Sequence, residues 1–287
     1  MKHLKIFINL TRLNRPIGFM LLFWPCSWGL VFAYSKNLEL YTLINYLFLF
    51  FCGSVLMRSA GCIFNDIVDK DIDIKVERTK NRPIASRQIS VIQGLFYSAL
   101  LCLIALIVLV QFNFLTIILA LGSMPLAFTY PLMKRYTYWP QLFLGITFNY
   151  GLLLGWTSIT NEITLLPFIL YVGAIFWTLG FDTIYGFQDI KDDEIIGLKS
   201  TSIKFKSNPY KFLIICYSIF LVSLLIIGFS LKLNQIYFMI LVIVALQMYY
   251  FQIYKLDIKK MNSCLNIFKS NNLLGLLIFA SLFIGKI

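Results

Sequence analysis

Residues 42–73 read TLINYLFLFFCGSVLMRSAGCIFNDIVDKDID. Residues 42–61 are dominantly apolar and carry a single charge, Arg58. At about 1.5 Å of rise per residue, a helix of that length covers roughly the 30 Å hydrocarbon core of a bilayer. The run ends in Asp66, Asp69, Asp71 and Asp73. This pattern fits a membrane-spanning helix that leaves the lipid at an acidic end.

Similar runs recur along the chain. Candidate spans lie at 17–34, 42–61, 89–110, 113–131, 139–158, 163–186, 210–230, 233–252 and 271–286. The chain has 287 residues, 59% of them hydrophobic and 13% charged, too little charge to cover a soluble domain. The expected fold class is therefore all-α: a polytopic membrane protein with about nine transmembrane helices, as one integral-membrane domain over residues 1–287. The first span continues through Trp24 and Trp28, which suits a retained helix better than a cleaved signal peptide. Cys26, Cys52, Cys62, Cys102, Cys216 and Cys264 form no CxxC pair, so neither a disulfide framework nor a zinc site is expected.

Formal charge is +12. On a soluble protein that balance suggests nucleic acid. Between apolar spans it reflects basic loops on the side where the chain is made, with the lipid bilayer and not nucleic acid as partner. With the N-terminus inside, 21 of the 25 Lys and Arg residues fall in inside segments. Three fall outside, Lys36, Lys232 and Lys286, and Arg58 lies within a span. The asymmetry predicts an N-in, C-out topology, expected in a bacterial inner (cytoplasmic) membrane.

The acids behave differently. Ten of the thirteen fall into two groups, at the inside ends of spans two and six. The first comprises Asp66, Asp69, Asp71, Asp73 and Glu77; the second comprises Asp182, Asp189, Asp192, Asp193 and Glu194. On a continuous helix Asp66, Asp69 and Asp73 share an arc of roughly 60°, with Asp71 pointing elsewhere. Asn65 lies one turn before Asp69. Asp182, Asp189 and Asp193 share a face within roughly 40°, with Asp192 on its flank. Acid clusters in loops are usually solvated surface. Two matching clusters in a chain with almost no other acids are better explained by a bound divalent cation, which offsets their repulsion. Hard oxygen ligands on few side chains suit Mg2+, which shares its shell with waters and phosphates. The metal-binding candidates are Asn65, Asp66, Asp69, Asp73, Asp189, Asp192 and Asp193.

Basic residues flank the clusters. The positive-inside rule alone explains Lys80 and Lys204. Arg78, Arg82 and Arg135 have the planar fork that matches phosphate oxygens; Lys134 closes span four with Arg135, and Lys199 follows the second cluster. These five are the diphosphate-binding candidates. His3, the single histidine, sits in the N-terminal tail and is expected to be incidental.

At these residues the chain resembles the UbiA-type intramembrane prenyltransferases. Asn65, Asp66, Asp69 and Asp73 match the family pattern NDxxDxxxD. Arg78, Thr79, Arg82 and Pro83 match RTxxRP. Asp189 and Asp193 match the second DxxxD, followed by Lys199-Ser200-Thr201. The resemblance covers the whole chain and implies nine helices around a central cavity. Arg15-Pro16-Ile17-Gly18, Tyr130-Pro131 with Lys134-Arg135, and Trp139-Pro140-Gln141 look most like members that prenylate 4-hydroxybenzoate. Glu194 departs from the expected aspartate but keeps a carboxylate.

The implied reaction moves a polyprenyl group from polyprenyl diphosphate to the ring carbon ortho to the hydroxyl of 4-hydroxybenzoate, a step of ubiquinone biosynthesis. The implied catalytic residues are Asp66, Asp69, Asp73, Asp189 and Asp193, with Mg2+ as cofactor. An acceptor bearing a carboxylate also needs a cation. Arg58 and Arg15 are the candidates, and Asp182 is placed at the same depth as Arg58, either as a pairing partner or beside the acceptor. Two other readings compete: a sister prenyltransferase with haem or a naphthoate as acceptor, and a divalent-cation transporter. Transporters place their ligands near mid-membrane on broken helices, whereas most of these acids lie at span ends beside arginine.

Overall fold

The computed structural model describes residues 2–35 and 38–286. Lys36, expected on the outer side, lies outside the described residues. Fourteen α-helices occur among them: α1 Lys2–Thr11, α2 Ile17–Ala33, α3 Leu40–Val68, α4 Lys70–Asp73, α5 Val91–Leu109, α6 Phe114–Thr129 and α7 Met133–Tyr136. They continue as α8 Pro140–Thr160, α9 Leu165–Gly186, α10 Ile190–Ile196, α11 Thr201–Lys204, α12 Pro209–Ser230, α13 Gln235–Leu246 and α14 Met261–Gly285. A 3-10 turn, Tyr130–Leu132, joins α6 to α7, and a π-helical stretch, Gln247–Tyr254, extends α13.

Each predicted span contains a helix. Among the described residues eight helices are long and apolar enough to cross a bilayer, and α2 is apolar but shorter at 17 residues. Two spans run further than hydropathy suggested. α3 extends past the lipid-like stretch to Val68 and carries the first acids, and α14 begins at Met261 instead of 271.

Helix α2 packs against α3, α8, α9 and α14. α8 also carries α6 and α9, α9 carries α12, and α13 pairs with α14. Water exclusion does not drive helices together in lipid, so close backbone approach must. At the α2–α8 crossing a Cβ on Gly29 would stand 2.0 Å from the Leu152 carbonyl oxygen, and one on Gly155 2.3 Å from that of Cys26. Only glycine permits this contact. In the core, the Trp28 and Trp177 rings lie 5.0 Å apart and both lean on Phe220. Their indole N–H groups are satisfied: Trp28 donates to the Gly275 carbonyl (3.0 Å) and Trp177 to Asn271 Oδ1 (2.8 Å). Phe96, Leu103 and Ile107 of α5 stand outward and exposed, as lipid-facing residues should.

Candidate active site

Both acid clusters sit where a long helix breaks into a short one. α3 stops at Val68, Asp69 adopts φ −95°, ψ 5°, and α4 follows. α9 stops at Gly186, Asp189 adopts φ −109°, ψ 5°, and α10 follows. Each break lies in the sparsely populated bridge region, where active-site residues are often found. Each is re-tied by the same bond: the Asp73 N–H donates to the Asp69 carbonyl (2.8 Å), and the Asp193 N–H to the Asp189 carbonyl (2.9 Å). The continuous helices assumed for both stripes are therefore corrected to two broken ones. The sides expected of the first cluster nonetheless hold. Asp66, Asp69 and Asp73 are buried, and Asp71 is exposed.

The two breaks face one cavity of about 310 Å³. Asn65, Asp69 and Asp73 line one side, Asp189 and Asp193 the other, with Asp182 and Arg58 on its wall. The connection between α4 and α5 folds back over it, anchored by the Thr79 hydroxyl donating to the Asp73 carbonyl (3.0 Å). This brings Arg78 and Arg82 to the acids. Arg78 grips Asp189 with two bonds, Nε to Oδ1 at 2.7 Å and Nη2 to Oδ2 at 2.5 Å, and its Nη1 donates to the Tyr185 hydroxyl (3.2 Å). Arg82 Nη1 bridges Asp73 (2.8 Å) and Asp66 (3.2 Å). Lys134 Nζ holds Asp69 Oδ2 at 2.5 Å. Burial pushes the Asp69 carboxyl up from its ordinary range, and the Lys134 ammonium opposes this. Burial, and then the neighbouring Asp189 charge, push the Asp193 carboxyl up to about 6.

Some expected residues are placed elsewhere. Arg135 is exposed, and its guanidinium donates to the Val68 carbonyl (2.6 Å), capping the end of α3 instead of lining the cavity. Asp192 is half-buried on α10, away from the cavity wall. Lys199 lines the cavity, but its ammonium donates to the Tyr136 carbonyl (3.1 Å). Asp66 is buried against Arg12 and Arg82. Arg58 and Asp182 share the wall without a salt bridge between them among the described residues. The Arg58 guanidinium lies 5.3 Å from the centre of the Phe148 ring, and its buried Nε has no hydrogen-bond partner. Arg15 lines the cavity mouth and is exposed.

Three wall residues were given no role in the site from the sequence, although Tyr130 was quoted for the resemblance. Arg12, counted there only as an inside charge, bonds Asp66 Oδ1 at 2.5 Å. Its place three residues before the Arg15-Pro16 pair was the available signal. Tyr185 lies one turn before Asp189, and Tyr130 closes α6; both face the cavity. The donor set suits a hard divalent ion: aspartate oxygens and the Asn65 amide, with Asp69 Oδ1 buried and unpartnered. Among the described residues no three acids converge on one point; Arg82 stands against Asp73 and Lys134 against Asp69.

Fold and site define a polytopic helical membrane protein whose acidic, arginine-lined cavity opens at one end of the bundle. Residues 22–281 match the UbiA prenyltransferase family, and the chain belongs to that family. It is 42% identical over 289 residues to human mitochondrial 4-hydroxybenzoate polyprenyltransferase, covering 99% of this chain and 76% of that protein. It is 38% identical to 4-hydroxybenzoate geranyltransferase 2 of Lithospermum erythrorhizon, covering 100% of this chain and 92% of that protein. Among solved structures it resembles a UbiA homologue from Aeropyrum pernix K1, with a TM-score of 0.77 at 22% identity, over 94% of this chain and 98% of that one. It also resembles an Archaeoglobus fulgidus homologue bound to GPP and Mg2+, with a TM-score of 0.71 at 17% identity, over 98% of this chain and 99% of that one.

Proposed function

We propose that this chain transfers a polyprenyl group from its diphosphate to the ring carbon ortho to the hydroxyl of 4-hydroxybenzoate. The identity with the named 4-hydroxybenzoate enzymes, over nearly the full chain, carries this reading. The cavity agrees with it chemically. Asn65, Asp69, Asp73, Asp189 and Asp193 supply oxygen ligands for Mg2+, with Asp66 behind them. Asp192 stays a candidate only if α10 shifts. Bound magnesium would neutralise the diphosphate as its bond to carbon breaks. Arg78, Arg82 and Lys134 hold phosphate oxygens and stabilise the departing charge. Lys199 stands at the same wall, and Arg135 is withdrawn from the diphosphate set. Phe148, Phe181 and Leu144 line the cavity and keep water from the allylic cation. The acceptor ring attacks that cation, and its proton leaves to a carboxylate or to the released diphosphate.

Arg58 is the better of the two acceptor clamps. It is a cation on the cavity wall with a buried, unpartnered N–H, whereas Arg15 is exposed. A carboxylate acceptor would satisfy that group. The basic asymmetry supports an N-in, C-out topology. The location we propose is a bacterial inner membrane. The mitochondrial names of relatives such as the human enzyme do not favour that finer point, and membrane fractionation of the source cells decides it.

Purified protein with Mg2+, a prenyl diphosphate series and three acceptors tests the function. 4-Hydroxybenzoate should be prenylated in preference to a dihydroxynaphthoate or haem. Preference for either of the others overturns the acceptor assignment.

A further inference from the structure

The catalytic carboxylates Asp66, Asp69, Asp73, Asp189 and Asp193 stand among four cations: Arg12, Arg78, Arg82 and Lys134. Taken together the group is close to neutral. Except for Asp69 Oδ1 and the Asp193 carboxyl, which stand unpaired among the described residues, the oxygens a metal would need are ones these cations hold. Asp66 Oδ1 is 2.5 Å from Arg12, Asp69 Oδ2 is 2.5 Å from Lys134, and Asp73 Oδ2 is 2.8 Å from Arg82. An ammonium or guanidinium cannot share such an oxygen with a divalent ion without strong repulsion. Displaced, each cation would be left in a largely buried setting with few other partners. Among the described residues Lys134 is paired only with Asp69, Arg82 only with the two aspartates, and Arg12 otherwise only with Cys62 Sγ, a long contact at 3.7 Å. An unpaired buried cation is costly. Arg12 is also reached through a backbone at φ 56°, an uncommon conformation for a residue with a side chain. That left-handed residue ends α1, closed by the Leu13 N–H donating to the Ile8 carbonyl (3.2 Å), and it aims the Arg12 side chain at Asp66.

Resting on the prenyltransferase reading above, we propose that Arg12, Arg78, Arg82 and Lys134 are exchangeable counter-ions. They neutralise the aspartates in the empty site and pass to the diphosphate when metal takes the aspartates. Metal and diphosphate therefore bind as one unit, and each binds weakly alone. Arg12 joins the diphosphate-facing set, which links the N-terminal helix α1 to occupancy of the site. Metal alone leaves too much positive charge, and diphosphate alone too much negative. Together they restore the balance. Coupling of this kind is reciprocal and typically amounts to about 5- to 150-fold in affinity.

The test is Mn2+ binding to the full chain in detergent at pH 8, followed by electron paramagnetic resonance, with and without inorganic diphosphate at matched free Mn2+. Diphosphate should tighten Mn2+ binding by at least about tenfold. Arg12→Met and Lys134→Met should bind Mn2+ alone more tightly than the unaltered chain, by roughly three- to tenfold, and gain less from diphosphate. Simple loss of structure would weaken both, so this reversal separates exchange from misfolding. Equal Mn2+ affinity with and without diphosphate overturns the exchange but leaves the prenyltransferase reading standing. Variants that bind metal alone more weakly also overturn it. No Mn2+ binding under either condition overturns both.

Discussion

The two helix breaks share a backbone and differ in their counter-ions. Asp69 and Asp189 have nearly the same dihedral angles, and in each case the residue four later is tied back to them. At the first break the three buried acids are each held: Asp66 by Arg12 and Arg82, Asp69 by Lys134, and Asp73 by Arg82. At the second, Arg78 clamps Asp189 with two bonds, but Asp193 has no salt bridge among the described residues. One backbone device thus serves two electrostatic tasks. The first break stores negative charge under its own cations, and the second offers a carboxylate already open to a metal.

If both breaks serve one metal-held diphosphate, removing metal should have the largest effect. Excess chelator should abolish prenyl transfer, and added Mg2+ should restore it, because two acid clusters and a diphosphate repel one another without a cation. Full turnover in chelator breaks the comparison at its root. Next in size, Asp69→Ala and Asp189→Ala should each lower kcat/KM by at least about 100-fold with membrane insertion intact. Asp71→Ala, on the exposed side, should stay within about twofold. Equal losses at Asp69 and Asp71 would mean that burial does not mark the working acids.

A smaller effect is expected away from the breaks. Arg58→Lys keeps the charge and loses the fork, so the KM for 4-hydroxybenzoate should rise roughly tenfold, with that for prenyl diphosphate little changed. Arg15→Lys should change neither by more than about twofold. The reverse ranking would move the acceptor to the cavity mouth.

The smallest effect is a pH dependence confined to the second break. Burial raises the Asp193 carboxyl to about 6, so it gains a proton as pH falls through that value. Only the deprotonated form ligates metal. At limiting Mg2+, activity should therefore decline below about pH 6, and higher Mg2+ should move the decline to lower pH. An acid limb that ignores Mg2+ concentration would detach Asp193 from the metal.

Most of the bundle was legible in the sequence because a bilayer permits few solutions. Apolar runs of spanning length must be helices, and each predicted span contains one. The acid clusters were legible for the same reason, since acids are rare in such a chain. The helix breaks were not. Hydropathy sees no difference between a straight helix and one that re-starts at Asp69 or Asp189. Pairing was also hidden. Arg78 meets Asp189 from 111 residues away in sequence, and Arg12 meets Asp66 from 54 away. Arg12 reaches Asp66 because α1 packs on α3, and Arg78 reaches Asp189 from the connection between α4 and α5; no local pattern states either. Arg135 shows the converse. It has the right residue type and the right neighbours, yet it turns to the Val68 carbonyl because the α3 terminus leaves that group free.

The central claim is that the two breaks act on one diphosphate. A double-mutant cycle of Asp69→Asn and Asp189→Asn tests it most directly, read as kcat/KM for prenyl transfer to 4-hydroxybenzoate at saturating Mg2+. Residues that act as a unit are strongly non-additive. The double variant should be little worse than the poorer single one. Losses that multiply, as for independent sites, would contradict a shared diphosphate.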